Sequence, residues 1–258
     1  MLAVACTAGY GILRPQTAPT LQQQITAGAK ISAASQTDPS AYPGQSISQP
    51  DPWWLRPGSR PYRVSKKAST ARTHRPPGLK VLAIGDSVML ASAPELEQRL
   101  PGIYIDAKVS RSMIAGVAII QQLARDRRLR PVVIVGLGTN GPVSSYQIRQ
   151  LRTAIGRRWL VLINVFEQRP WEHEVNTTLA AAASRYPNVL LINWHAAIEH
   201  RTRLLWSDGI HPQPSGGRLY AKVVRTVVRA ALRSRPHPHR APRRSDPGYP
   251  LHASDVRP

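Results

Sequence analysis

Five short apolar runs constrain this chain more than any other feature. They are "LKVLAI" at 79–84, "IYIDAKV" at 103–109, "PVVIVGL" at 131–137, "WLVLINV" at 159–165 and "NVLLIN" at 188–193. Each is rich in β-branched residues and lacks the in–out alternation of a strand with one wet face, so each reads as a strand buried on both sides. Segments with helical spacing alternate with them, at about 88–100, 112–126, 144–156, 174–186 and 215–232. Strand–helix alternation repeated five times predicts a five-stranded parallel sheet with helices on both faces. No G-x-G-x-x-G run follows the first strand, so a dinucleotide site is not indicated.

Outside this pattern the chain changes character. Residues 1–13, "MLAVACTAGYGIL", are almost wholly apolar but shorter than the roughly 20 residues of a membrane span. They read as the end of a transmembrane helix or as an export signal. Residues 14–77 are rich in Gln, Ser, Thr, Pro and basic side chains and hold no apolar period, which predicts a flexible linker. "PWWLRPGSRPY" interrupts it as an aromatic anchor or docking patch. Residues 78–234 form the predicted folded domain, and 235–258 read as a disordered basic tail. Cys6 is the one cysteine in 258 residues, which excludes an intrachain disulfide framework and a cysteine-built metal site. A formal net charge of +21 favours contact with polyanions such as nucleic acid, anionic lipid or acidic envelope polymers. The basic residues are scattered, however, without a reading helix or an aromatic platform, so specific nucleic-acid recognition is not expected.

In an open parallel sheet, ligands gather at the carboxyl ends of the strands. The residues there are Gly85-Asp86-Ser87 after the first run, Ser110-Arg111 after the second, and Gly138 and Asn140 in "GLGTNG" after the third. Asp208 and His211 lie in "WSDGIHPQPSGG", ahead of the last helix. A hydroxyl becomes a useful nucleophile only when a base takes its proton. His211 is the candidate base for Ser87, and Asp208 is spaced to hold the imidazole in one tautomer. The Ser87 backbone N–H at a helix start, the Asn140 amide and the Ser110 N–H are candidate oxyanion donors. Taken singly, each of these motifs also reads as an ordinary turn or loop pair.

Together they resemble the pattern of the SGNH hydrolases: "GDS" early, G-x-N in the middle, D-x-x-H-P late. "GDSVML", "VSRS", "VGLGTNGPV", "RPWEHEVN" and "SDGIHPQPSGGRLYA" look most like the SGNH-like domain attached to membrane acyltransferases that O-acetylate peptidoglycan and other envelope glycans. The resemblance covers about residues 78–232. It implies a three-layer α/β/α sandwich of flavodoxin-like type around the five-stranded parallel sheet, with Ser87 as nucleophile, His211 as base, Asp208 as its partner and Asn140 in the oxyanion hole, and Ser110 standing where the family has a glycine. Trp171 and Asn176 match positions of that branch and are expected along a substrate groove, with packing under the site the other reading for Trp171. The resemblance further implies no metal or organic cofactor, an extracytoplasmic location in a bacterial envelope, and an upstream membrane domain that delivers the acyl group. The expected function is serine-dependent transfer of an acyl group from a donor to a glycan acceptor. A carbohydrate or lipid esterase, and a non-catalytic module binding envelope polymers, are the alternatives.

Overall fold

The structure, a computed structural model, describes residues 19–37 and 77–234. Five strands form one sheet: β1 (Val81–Gly85), β2 (Tyr104–Ala107), β3 (Val132–Gly136), β4 (Trp159–Ile163) and β5 (Val189–Ile192). Their order is β2-β1-β3-β4-β5, and every pair is parallel. The predicted three-layer fold is the observed one. The buried runs look unalternating because both faces are covered. Val81 and Ala83 of β1 join one apolar cluster, and Leu82 and Ile84 join the other.

On the first face lie α2 (Ser87–Ala91), α3 (Ala93–Arg99), α7 (Trp194–Ile198) and α8 (Pro214–Arg233). On the second lie α4 (Met113–Arg125), α5 (Ser145–Ile155) and α6 (Glu172–Arg185). Helix α8 buries Tyr220, Ala221, Val224, Val228 and Ala231 and turns its Arg and Lys residues outward, as an amphipathic surface helix does. The start of α5 is fixed by a reciprocal cap: the Ser144 hydroxyl accepts from Gln147 N–H while the Gln147 side chain accepts from Ser144 N–H.

The stretch expected to be linker needs correction over part of its length. Residues Leu21–Thr37 form a helix, α1, that packs on β2, α2 and α3. Its inward stripe is Gln24, Gly28 and Ser32, flanked by the half-buried Ile25 and Ile31. Small and polar residues make the contact because the surface they meet is backbone. Strand β2 is an edge strand, whose free N–H and C=O groups need partners. The Ser32 hydroxyl accepts from Ala107 N–H (3.1 Å) and lies 3.2 Å from the Ile105 carbonyl oxygen. At Gly28 any Cβ would collide with the Leu90 carbonyl. Thr20 and Gln23 cap the helix start, with Thr20 N–H donating to Gln23 Oε1 (2.8 Å) and Gln23 N–H to Thr20 Oγ1 (3.3 Å).

Residues 1–13, the "PWWLRPGSRPY" patch and the tail from 235 lie outside the described residues. Among the described residues, no helix is long and apolar enough to cross a membrane.

Because α1 seats backbone against backbone at Gly28, Gly28→Val is expected to unseat it. The expected cost is on the order of 1–3 kcal/mol of unfolding free energy, the usual penalty for overpacking. Denaturant unfolding together with limited proteolysis, with new cleavage inside 21–37, is the check. Wild-type stability and an unchanged cleavage pattern would contradict the packing described.

Candidate active site

The chain reverses direction across the sheet between β1 and β3, and the loops after these two strands open a crevice at their carboxyl ends. Asp86 ends the β1 crossing and caps α2, its carboxylate accepting from Val88 N–H (3.0 Å). Ser87 is therefore the first residue of α2, where a backbone N–H has no partner inside the helix. Its side chain is nearly buried.

From the far end of the domain, the loop between the short 3₁₀ turn Thr202–Leu204 and α8 swings over this crevice. Leu205 bridges Pro212 in antiparallel fashion, Trp206 N–H donates to the His211 carbonyl (2.8 Å), and Gly209 turns the chain with φ +69°. The closed loop brings together residues 124 apart: His211 Nε2 lies 2.8 Å from Ser87 Oγ. On the other side of the ring, His211 Nδ1 lies 2.7 Å from Asp208 Oδ2. The remaining oxygen, Asp208 Oδ1, accepts from the N–H groups of Ile210 (2.9 Å) and His211 (3.0 Å). Burial pushes the Asp208 carboxyl up, but those two backbone donors and the His211 ring outweigh it and leave its pKa below the ordinary carboxylate value. A charged Asp208 accepts from Nδ1–H and leaves Nε2 facing the Ser87 hydroxyl as an acceptor.

Of the predicted oxyanion donors, Asn140 reaches the Asp86 cap of α2 and the loop after β2. The Asn140 amide lies at long range from Asp86 Oδ2 (3.5 Å) and the Arg111 carbonyl (3.4 Å), contacts weak enough to exchange for a better acceptor. Ser110 is exposed and has φ +58°, the left-handed region that favours glycine. Its neighbour Arg111 anchors the loop: the guanidinium is buried, pairs with Asp106 (2.6 Å), and donates to the Asp106 and Gly85 carbonyls.

The two groove candidates are held differently. Asn176 uses both ends of its amide on one residue, accepting from Val165 N–H and donating to Val165 C=O, each at 2.9 Å. It pins α6 to the segment after β4. Trp171 donates its indole N–H to Glu167 Oε1 (2.9 Å) and packs its ring against the second apolar cluster.

Two carboxyls that sequence reasoning missed lie beneath the crevice. Asp86 is 1% exposed, and its pKa is raised to about 6 by burial, against the pull of the Val88 N–H, the Thr139 side chain and the His211 charge. It joins the start of α2 to the "GTN" loop through Thr139 and Asn140. Glu167 is 2% exposed, and its Oε2 has no hydrogen-bond partner among the described residues. Its pKa is raised to about 7, first by burial, with the Glu172 and Asp86 charges adding and the Trp171 N–H opposing. The signal for Asp86 was present in "GDS", since Asp ahead of a helix start is a strong N-cap. Nothing in the sequence marks Glu167 as buried.

For both carboxyls the native state holds its proton more tightly than the unfolded chain does. Their contribution to stability is complete below the ordinary values of 3.8 and 4.5 and is lost as pH climbs through about 6 and about 7. Asp86→Asn and Glu167→Gln are each expected to flatten the decline of unfolding free energy over that window, read from urea denaturation in a pH series. A slope identical to wild type in both variants would contradict the burial assigned to these groups.

No protein-family model matches the chain. Among curated proteins it is similar to YrhL of Bacillus subtilis (33% identical over 172 residues, 67% of this chain and 25% of YrhL). It is likewise similar to the peptidoglycan O-acetyltransferase OatA of Listeria monocytogenes (31% over 169 residues, 66% and 26%). The chain thus spans about a quarter of the length of the curated relatives it matches. Among solved structures, its fold is shared with the C-terminal catalytic domain of Streptococcus pneumoniae peptidoglycan O-acetyltransferase A (TM-score 0.55, 20% identity, 59% of this chain and 94% of that domain). A carbohydrate esterase family 3 protein from Talaromyces cellulolyticus also shares it (TM-score 0.50, 15% identity, 60% and 98%). Over that quarter the chain is similar in sequence to peptidoglycan O-acetyltransferases, and its α/β fold is one that an O-acetyltransferase catalytic domain and a carbohydrate esterase share.

Proposed function

We propose that this chain is the acyl-transfer domain of an envelope-glycan O-acetyltransferase, with Ser87, His211 and Asp208 as its catalytic residues. The observation that carries the reading is the unbroken relay from Asp208 Oδ2 to His211 Nδ1 (2.7 Å) and from His211 Nε2 to Ser87 Oγ (2.8 Å). In the first half-reaction, Ser87 Oγ attacks the acyl carbonyl of the donor while its proton passes to His211 Nε2. The tetrahedral oxyanion is met by the Asn140 amide and the N–H groups of Ser87 and Ser110. Collapse breaks the bond to the donor's leaving group, which takes the proton from His211 and departs, leaving an acyl ester on Ser87. In the second half, a sugar hydroxyl gives its proton to His211 Nε2 and attacks the acyl carbon. Collapse returns the proton to Ser87 and releases the O-acyl sugar. Asp208 stays ionised throughout and stabilises the imidazolium.

The acceptor is proposed to be a glycan of the bacterial envelope, in keeping with the relatives' names, and the donor an acyl group delivered by a membrane acyltransferase domain outside this chain. Water competes for the acyl-enzyme because Asp208 and Asn140 are solvent-exposed and His211 only half-buried. Slow ester hydrolysis without acceptor therefore belongs to the reading.

Ser87→Ala is expected to lower acetyl-ester turnover by more than about 10²-fold, with His211→Ala similarly severe because the two act as a unit. Asn140→Ala removes one fixed donor and is expected to cost about 10²–10³ in turnover. Incubation with an acetyl donor ester and glycan oligomers, followed by mass spectrometry, tests transfer. Acetylated oligomer supports it, whereas fast hydrolysis with no acetylated sugar across a panel of acceptors would favour the esterase.

Ser110→Gly is expected to leave turnover close to wild type, since only the backbone N–H is used and glycine suits φ +58°. A large loss measured in the same ester assay would give the hydroxyl a role of its own.

A further inference from the structure

Helix α1 reaches the catalytic loop through one side chain. Gln24 is 5% exposed, and both ends of its amide are engaged. Nε2 donates to the Ala91 carbonyl at the end of α2 (2.7 Å) and to the Pro212 carbonyl (3.0 Å), and Oε1 accepts from the Trp206 indole N–H (3.2 Å). Trp206 and Pro212 are the two feet of the loop that holds Asp208 and His211, and α2 begins with Ser87. One primary amide therefore touches both feet of the loop that carries the base and the helix that carries the nucleophile.

We propose that Gln24 is a positioning residue that sets the distance between Ser87 and His211, an inference that rests on the catalytic reading above. The chemistry of the contact demands an amide. Ala91 C=O is a last-turn carbonyl of a five-residue helix and lacks an intrahelical donor, so it needs one from outside. Pro212 C=O needs a second donor and Trp206 an acceptor, and only Asn or Gln carries two N–H donors and a carbonyl on one planar group. Glu in this place would turn an oxygen toward two carbonyl oxygens. Met would fill the same space without any of the three bonds. The docking of α1 is secured separately, at Gly28 against Leu90 and at Ser32 on the β2 edge, so the role of Gln24 in placing the loop separates from its share in holding the helix.

The full-length chain carrying Gln24→Met is compared with Ser32→Ala, which weakens α1 docking without touching the loop, and with Trp206→Phe, which deletes one of the three bonds and covers the case in which Gln24→Met does not fold. Three quantities are read: kcat and KM on a soluble acetyl ester, the rate of inactivation by methanesulfonyl fluoride with the labelled peptide mapped, and Tm. A misplacement of about 1 Å costs up to about 10²-fold in rate, so Gln24→Met is expected to lower kcat and the labelling rate together by about 10-fold or more with KM nearly unchanged. Trp206→Phe should show a smaller loss of the same kind, and Ser32→Ala a lower Tm with kcat preserved. Labelling at Ser87 at the wild-type rate in Gln24→Met and Trp206→Phe, or a kcat loss in Ser32→Ala equal to theirs at equal Tm, would overturn this proposal alone. Sulfonylation of the wild-type chain at a residue other than Ser87 would overturn the catalytic reading, and this proposal with it.

Discussion

Burial of both faces of a parallel sheet is the constraint from which the rest of this structure follows. Once β1 to β5 are covered by helices on each side, no polar side chain can sit on the sheet itself without losing its water. Polar residues are pushed to the strand ends, and α2, α4, α5 and α6 begin after the carboxyl ends of β1, β2, β3 and β4. Asp86, Ser87, Ser110, Thr139 and Asn140 all collect there, because each follows the carboxyl end of a strand in a β2-β1-β3 neighbourhood. The loop bearing Asp208 and His211 reaches that end because α8 must run back along the sheet from it to cover the first face.

The environments at the crevice then separate carboxyl groups that are chemically alike. Asp208 sits in a turn with two backbone N–H donors and an imidazole, and is held in its charged form. Asp86 sits below, 1% exposed, and burial dominates over its donors. One carboxylate holds the His211 ring through Nδ1. The other works as a structural link between the α2 cap and the "GTN" loop.

Much of this was legible before any coordinates. The five strands and helices α4, α5, α6 and α8 lie within a few residues of where apolar periodicity placed them, while the helix expected at 88–100 is broken into α2 and α3; that periodicity is itself produced by two-sided and one-sided burial. Ser87, His211 and Asp208 were also legible, each as the polar residue that interrupts an apolar pattern at a strand end or loop. What was missed has a separate cause in each case. Helix α1 buries Gln24, Gly28 and Ser32 at a clean four-residue spacing, but a search for apolar stripes does not see a polar one. The T-x-x-Q capping box at Thr20–Gln23 was the available signal. Glu167 was invisible because its burial depends on how α6 and Trp171 close over it. Asn176 was readable as a marked position but not as a clamp on the Val165 backbone.

The contacts of α1 also impose an order of assembly. Ser32 meets its partner Ala107 only 75 residues later in the chain, and Gln24 meets Pro212 only after 188. A chain emerging from the ribosome therefore makes α1 long before anything exists for it to pack on, and short isolated helices of this length are marginal in water. It first finds a surface when α2 and β2 have formed, and completes its contacts when nearly the whole domain is present. Closure of this long loop carries an entropic cost late in folding rather than early. Up to that moment Ser87 lacks the His211 imidazole that lies 2.8 Å from its hydroxyl in the finished domain.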